Sequence, residues 1–321
     1  MSLLLPVLNE IENIEACLDS VAGQDYPGPL EVLVAEGGST DGTAERLAER
    51  ARGGDLRIRV LSNPQRRQSL GLNLLASASN AEILIRVDAH TVYATDYVSK
   101  SVEALLESGA VAVGGRLEAE GKEPFGKAVA LAMRSRLAIG PGVFHHADSR
   151  READTVYLGA FRRSDFIDSG GYRDFPYGVA EDADLYYRWR TAGRTILLDP
   201  AIRSTYLPRQ SVRSLFRQFY RYGAGKADML YANGRWPSWR PLAPLLLVTA
   251  LIATFLLAAV TGLRLPFWSL LALWIVALLM AARVAPRPVE RLRVFLAAAV
   301  MHTAYGLGLL TALVWRRRRQ R

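Results

Sequence analysis

One cysteine, Cys17, stands in 321 residues. A single thiol excludes an internal disulfide framework and any metal site built from cysteine alone. Lysine is scarce as well. Only Lys100, Lys122, Lys127 and Lys226 are found among 40 basic residues, so the cation is nearly always arginine, the side chain suited to bidentate phosphate contact. The net charge is +9. Part of that excess sits at the flanks of apolar runs, where membrane topology favours it. No nucleic-acid recognition motif and no aromatic-basic repeat accompany it, so a nucleic-acid partner is not expected. Long apolar runs are missing until Trp239. The opening Leu3-Leu4-Leu5-Pro6 is too short for a signal peptide, and the N-terminal part is expected to stay in a reducing cytosol.

Before Trp239 the pattern is an alternation of short apolar runs and amphipathic segments. Strands are expected over Ser2 to Val7, Leu30 to Ala35, Ile58 to Leu61, Ala81 to Val87 and Ala110 to Val113, the last ending at Gly114-Gly115. Helices are expected from Ile14, from Thr43, over Ser69 to Ser79 and over Tyr97 to Ser108. This rhythm predicts a mostly parallel sheet with helices on both faces. Further on, Phe125 to Ile139 reads as one helix, Gly140 to Asp154 as loop and Val156 to Phe161 as a strand. Asp182 to Ala192 reads as a helix, and Thr195 to Leu198 as the last strand, closed by Asp199-Pro200.

Acids recur at the ends of these strands and the heads of these helices. They are Asn9-Glu10 with Glu36 and Asp41, then Asp88 with His90, then Glu181-Asp182. In an open α/β sheet, ligands bind at the carboxyl edge, and acids delivered there build a site. Asp88 and His90, two residues apart, can share a divalent ion if the loop bends; an imidazole ligand suits Mn²⁺ better than Mg²⁺. A carboxylate at the head of the helix from Glu181 can deprotonate a hydroxyl. Taken singly, each cluster fits a turn or a helix cap equally well.

Taken together and in this order, Pro6-x-x-Asn9-Glu10, Glu36-Gly-Gly-Ser-Thr-Asp41-Gly-Thr, Asp88-x-His90 and Glu181-Asp182 resemble the family 2 glycosyltransferases of the GT-A (nucleotide-diphosphosugar transferase) fold, over roughly residues 2 to 226. Asp154 to Arg163 and Gln218 to Lys226 look like the succinoglycan-type glucosyltransferases of bacterial exopolysaccharide synthesis. The resemblance implies nucleotide-sugar contacts from Pro6, Asn9, Glu10, Glu36, Asp41, Asn73 and Asp88. It implies a Mn²⁺ or Mg²⁺ ion on Asp88 and His90, and catalysis by Asp182 with Glu181 beside it. It also implies acceptor and diphosphate contacts from Gly159, Gln218, Arg221 and Tyr222. Three positions depart from the family pattern: Gly37 where many members carry a second acid, His90 where D-x-D has its second Asp, and Tyr222 in place of Trp.

The expectation is an inverting hexosyltransferase moving sugar, with glucose the expected one, from a UDP-sugar to a polyprenyl-diphosphate-linked glycan. Other exopolysaccharide-synthesis proteins are expected partners. Two rival readings are transfer directly to polyprenyl phosphate and a non-catalytic membrane-anchored scaffold. Residues 1–207 would form the catalytic domain and 208–240 an interfacial helix, with Val212, Leu215, Phe216, Phe219 and Tyr220 as its apolar stripe and Arg213, Arg217, Arg221 and Lys226 flanking it. Residues 241–315 would cross the membrane, and 316–321 are a basic tail. Leu242 to Leu263 and Leu265 to Ala282 carry no charge, nor does Val294 to Trp315 with His302 neutral, and about 20 apolar residues span a bilayer as helix. The expected location is the bacterial inner membrane, multi-pass, with the catalytic domain cytoplasmic and the tail outside.

Overall fold

The computed structural model describes residues 1–142, 146–236 and 239–319, with 316–319 described by backbone alone. The side chains of the expected basic tail, and the centre of the expected 140–154 loop, lie outside the described residues.

Two compact units are present. The first takes the described residues within 1–118, 143–174 and 181–206. Its elements in chain order are β1 (Ser2–Val7), α1 (Ile14–Ala22), β2 (Glu31–Glu36), α2 (Thr43–Gly53), β3 (Ile58–Ser62), α3 (Gln68–Ala78), β4 (Ile83–Arg86), β5 (Thr91–Tyr93) and α4 (Tyr97–Ser108). After β6 (Ala112–Ala119) the chain forms two elements of the second unit, α5 (Pro124–Ala132) and α6 (Arg136–Ile139). It returns with β7 (Arg151–Glu152), β8 (Tyr157–Arg162), α7 (Arg163–Asp168), α8 (Glu181–Thr191) and β9 (Ile196–Tyr206).

The strand order is β3-β2-β1-β4-β8-β6-β9-β5, with β7 on β9. β3, β2, β1 and β4 run parallel, and β8 enters antiparallel to β4. Both faces are covered, which explains why β1 is apolar without alternation. Leu3, Leu5 and Val7 join the core under α1 and α4, while Leu4 joins the one under α3 and α8. Each such buried side chain contributes roughly 1.5–3 kcal/mol. Register then places the acids. Val7 pairs Glu36, and Leu4 pairs Arg86, so the residues after β1, β2 and β4 all emerge at one edge.

The sequence reading stopped two strands short. β6 runs through Gly114-Gly115 to Ala119 instead of ending there. A Cβ on Gly115 would collide with the Ile202 carbonyl, so that glycine admits a neighbouring strand and does not mark a turn. β9 likewise continues through Asp199-Pro200 to Tyr206; the Asp199 carboxylate accepts from Ala201 N–H at 2.9 Å, locally replacing a ladder partner. The single helix expected over Phe125 to Ile139 is two. The N–H groups of Arg134 and Ser135 turn to the i−3 carbonyls of Leu131 and Ala132, and this tightening ends α5. β5, β7 and α7 are too short for periodicity to reveal.

The second unit gathers residues 119–142, 175–180 and 207 onward. Besides α5 and α6 it holds α9 (Val212–Asn233), α10 (Leu242–Thr261), α11 (Leu265–Ala281) and α12 (Pro288–Arg319). Among the described residues, three helices, Leu242–Thr261, Leu265–Val284 and Pro288–Trp315, are long and apolar enough to cross a membrane. α9 and α12 pack backbone to backbone: a Cβ on Gly308 would strike the Tyr220 carbonyl, and one on Gly223 the Tyr305 carbonyl.

Candidate active site

The first unit's carboxyl edge is laced by its own backbone. Asn9 sits at φ 55°, a left-handed conformation that asparagine tolerates better than most residues. Its side-chain oxygen accepts from Thr40 N–H at 2.9 Å, and its own N–H donates to Ser39 Oγ at 2.9 Å. Glu36 accepts from the N–H groups of Gly38 (2.8 Å) and Ser39 (2.7 Å). Burial works against its charged form, but the Ser39 and Gly38 hydrogen bonds and Arg66 outweigh it, and the carboxyl is held below its usual range. Asp41 accepts from Thr43 Oγ1 (2.6 Å), Thr43 N–H (3.1 Å) and Ile11 N–H (3.1 Å). The Thr43 hydroxyl, then the backbone N–H groups, lower its pKa. Glu36 thus braces its own turn, while Asp41 and Asn9 fix the two turns to one another. At Gly37 a Cβ would press on Leu8 Cδ1 at 3.2 Å and the Val7 carbonyl at 3.3 Å, so the turn is built tightly around a glycine.

Asp88 lies two residues past β4 with its backbone clamped. Its N–H donates to Tyr93 Oη at 2.7 Å, and that hydroxyl donates back to the Asp88 carbonyl at 3.1 Å. Its Oδ1 receives Gln68 Nε2 and Arg86 Nε, each at 3.4 Å. His90 turns Nδ1 toward Glu10 Oε1 at 3.3 Å, while Asn13 donates to Glu10 Oε2 at 2.9 Å. Nδ1 is thus engaged by the Glu10 carboxylate, and Nε2 is the ring nitrogen outside that contact. This is how an outer carboxylate orients a metal-ligating imidazole. The His90 ring is further set against Tyr206, edge to face, with centroids 5.4 Å apart. Asp88 Oδ2 and His90 Nε2 are the atoms of this pair outside these contacts. Among the described residues no group of three or more His, Cys, Asp or Glu side chains could hold an ion alone.

The Glu181-Asp182 pair divides at the head of α8. Glu181 is buried, with Oε1 3.1 Å from Arg86 Nη1. Asp182 keeps 41% of its side chain exposed, accepts from Ala183 N–H at 2.6 Å, and has Oδ2 3.9 Å from the same Arg86 nitrogen. Burial, then the Asp182 charge, pushes Glu181 up to about 7, with Arg86 opposing. Asp182 is thus the member of the pair open to a substrate.

Arg86 was not singled out by the sequence reading. It is the centre of this cluster, reaching Asp88, Glu181 and Asp182, with its guanidinium carbon 6.0 Å from the Tyr172 ring centroid. A signal was there: the one charge in the apolar run Ile83 to Val87, two residues before Asp88 and so on the same strand face.

Other expected residues have different surroundings. The Asn73 amide is engaged at both ends by Tyr172, donating to its carbonyl at 2.8 Å and accepting from its N–H at 2.9 Å. Gly159 is where Tyr186 Oη approaches; a Cβ there would collide with it. Pro6 lies within β1, opposite Ala35. Gln218, Arg221 and Tyr222 belong to the second unit, on α9. There Gln218 donates to Tyr222 Oη at 3.0 Å, and Arg221 donates to the carbonyls of Tyr177 (3.1 Å) and Gly178 (3.2 Å). Among the described residues, four non-glycine residues have positive φ: Asn9, Arg66, Leu158 and Ala180. They fall in the first turn, before α3, beside Gly159 and directly before Glu181, and strain of this kind gathers at functional sites.

The model of glycosyl transferase family 2 matches residues 2–163. The succinoglycan biosynthesis protein ExoA of Rhizobium meliloti (strain 1021) is 34% identical, over 76% of this chain and 74% of that protein. The chain belongs to glycosyl transferase family 2. This glycosyltransferase is also 26% identical to the dolichyl N-acetyl-alpha-D-glucosaminyl phosphate 3-beta-D-2,3-diacetamido-2,3-dideoxy-beta-D-glucuronosyltransferase of Methanococcus voltae, over 80% of the chain and 82% of that enzyme. Among solved structures, the mannosyltransferase PcManGT of Pyrobaculum calidifontis, in complex with GDP-Man and Mn²⁺, superposes with a TM-score of 0.63 at 22% identity, covering 95% and 86% of the two chains. S. aureus TarS 1-349 in complex with UDP-GlcNAc gives 0.51 at 17% identity, covering 99% and 91%. The fold is the expected GT-A fold, and the C-terminal apolar helices suggest association with a membrane.

Proposed function

We propose that the enzyme moves one sugar, with glucose the expected one, from its UDP derivative to a saccharide carried on a polyprenyl diphosphate, inverting the anomeric centre. The observation that carries this reading is the pairing, through Arg86, of a strand-end carboxylate, Asp88, with the half-exposed Asp182 at a helix head. Asp88 is suited to the leaving-group side and Asp182 to the acceptor side. Asp182 takes the proton of the acceptor hydroxyl as that oxygen attacks the anomeric carbon from the face opposite UDP. The hydrogen bond from Ala183 N–H keeps its carboxylate from turning away. Glu181, buried on Arg86, positions its neighbour.

A divalent cation, Mn²⁺ or Mg²⁺, offsets the negative charge gathering on the leaving diphosphate when bound. Asp88 and His90 fit it: a carboxylate and an imidazole oriented from behind by Glu10. With two protein ligands, the ion is expected to bind together with the nucleotide. Pro6, Asn9, Glu10, Glu36 and Asp41 shape the proposed base and ribose end, with Asn73 bracing the Tyr172 segment. Gly159, Gln218, Arg221 and Tyr222 are proposed on the acceptor side. Exopolysaccharide or envelope-glycan synthesis is supported by the succinoglycan relative, a nucleotide-sugar donor by the GDP-Man and UDP-GlcNAc complexes, and a lipid-linked acceptor by the relative named for a dolichyl-phosphate-linked one.

The test is a panel of nucleotide sugars, read as released nucleoside diphosphate with Mn²⁺ or Mg²⁺. UDP-glucose is expected to give the largest signal; release from GDP-sugars alone overturns the donor reading.

For the membrane part, residues 1–207 are proposed to work in the cytoplasm, 208–240 at the interface, and 241–315 as three crossings. The loop with Arg283, Arg287, Arg291 and Arg293 then stays inside, as basic loops prefer. A reporter fused after Arg321 is expected to read outside; a cytoplasmic signal from an active fusion sinks the three-crossing arrangement.

A further inference from the structure

Arg86 carries an inference beyond these assignments. Its side chain is almost fully enclosed and is bound by acids from two separate elements. Nε meets Asp88 Oδ1 at 3.4 Å, beyond the end of β4; Nη1 meets Glu181 Oε1 at 3.1 Å and lies 3.9 Å from Asp182 Oδ2, at the head of α8. Glu181 lies 95 positions from Arg86 in the chain, yet answers to the same guanidinium as Asp88. We propose that Arg86 is a positioning residue that couples the donor side to the acceptor side: one guanidinium fixes the Asp88 carboxylate and the Glu181-Asp182 pair in a single arrangement. The proposal deepens the reading of Asp182 as base and Asp88 as the leaving-group carboxylate, and rests on it.

Three features argue for this over an ordinary buried ion pair. First, a buried ion pair is weak grounds for stability, because apolar residues of similar volume serve as well. Second, the charge count is unequal, with one cation facing three carboxylates. Like charges so close oppose one another's ionisation. Arg86, which cannot lose its proton, is the permanent cation set among them. Third, the contacts leave the working atoms clear. Arg86 and Gln68 both take Asp88 Oδ1, leaving Oδ2, and Arg86 stands farther from the exposed Asp182 than from the buried Glu181. Tyr172 lies against the guanidinium, its ring centroid 6.0 Å from the guanidinium carbon.

The planar fork is what a lysine cannot supply. Arg86→Lys keeps the charge and loses one of the two arms. It is expected to lower kcat about 10- to 100-fold, the range for groups that orient a ligating or reacting side chain. Arg86→Met removes the charge. It is expected to weaken Mn²⁺-dependent UDP binding by at least about 10-fold in calorimetry and lower kcat by about 10²–10³-fold, as losing a preorganised charge at a reacting centre does. Adding Glu181→Gln to Arg86→Met removes one of the acids that Arg86 balances. The double variant is expected to recover both melting temperature and UDP binding relative to Arg86→Met alone, a coupling that mere loss of packing would not give.

The experiment measures all three variants, in the full chain in detergent or nanodiscs, for melting temperature, calorimetric UDP affinity with Mn²⁺, and kcat and KM with the best donor. Simultaneous loss of UDP affinity and kcat in Arg86→Met, with partial return in the double variant, supports the coupling. Folded Arg86→Met or Arg86→Lys protein with UDP affinity and kcat within threefold of wild type overturns it. So does a double variant no better than Arg86→Met. Failure of the wild type to release nucleoside diphosphate from any nucleotide sugar would instead overturn the transferase assignments beneath it, and the two failures are read in different samples.

Discussion

Asp182→Asn is expected to abolish sugar transfer while leaving UDP binding nearly intact. The amide has the shape of the carboxylate, and its oxygen can still accept from Ala183 N–H. What it loses is basicity, and a general base contributes about 10²–10⁴-fold. The effect should fall on kcat, because Asp182 is proposed on the acceptor side, with 41% of its side chain exposed where Glu181 is buried. Steady-state rates and a UDP titration on the same protein separate the two quantities. Activity within a few-fold of wild type would remove Asp182 from the base role.

Asp88→Ala is the second large effect. It deletes the carboxylate just past β4 that Gln68 and Arg86 hold, on a backbone clamped by Tyr93. Arg86 is then left with only Glu181 and Asp182 among its acids. Metal-dependent UDP binding is expected to fall by about 10–100-fold or more, the scale seen when metal-site groups are removed. Turnover should fall with it. His90→Asp separates the ligand question from stability. It restores an all-oxygen pair, which suits Mg²⁺ better than an imidazole does. The expected result is a shift of preference from Mn²⁺ toward Mg²⁺, measured by UDP titration in each ion. If the preference does not move, His90 is not a ligand.

How much of this could be read from the sequence depended on the range of the forces involved. The parallel half of the sheet was legible because β1, β2 and β4 are buried on both faces and so have apolar centres without alternation, and because each is followed by polar residues at one edge. The two extended strands were not. Gly114-Gly115 and Asp199-Pro200 look like turns in one dimension, and only the approach of Ile202 to Gly115 gives the glycine its reason. At the site, residue types were legible and partnerships were not. Glu10 stood out as an acid after a strand, but its place behind His90 depends on a contact 80 positions away. Glu36 and Asp41 stood out as acids in a turn; that they hold backbone N–H groups follows from the turn's geometry. Arg86 was passed over because a lone charge in a strand has no local meaning until the distant Glu181-Asp182 pair closes on it.

The central claim is a single displacement with Asp182 as base and UDP leaving from the opposite face. It is tested most directly by the anomeric configuration of the product formed from a UDP-α-sugar, read by proton NMR of the isolated glycan. The account predicts a β-linked sugar. An α-linked product would contradict it, since retention requires a different arrangement of the reacting groups.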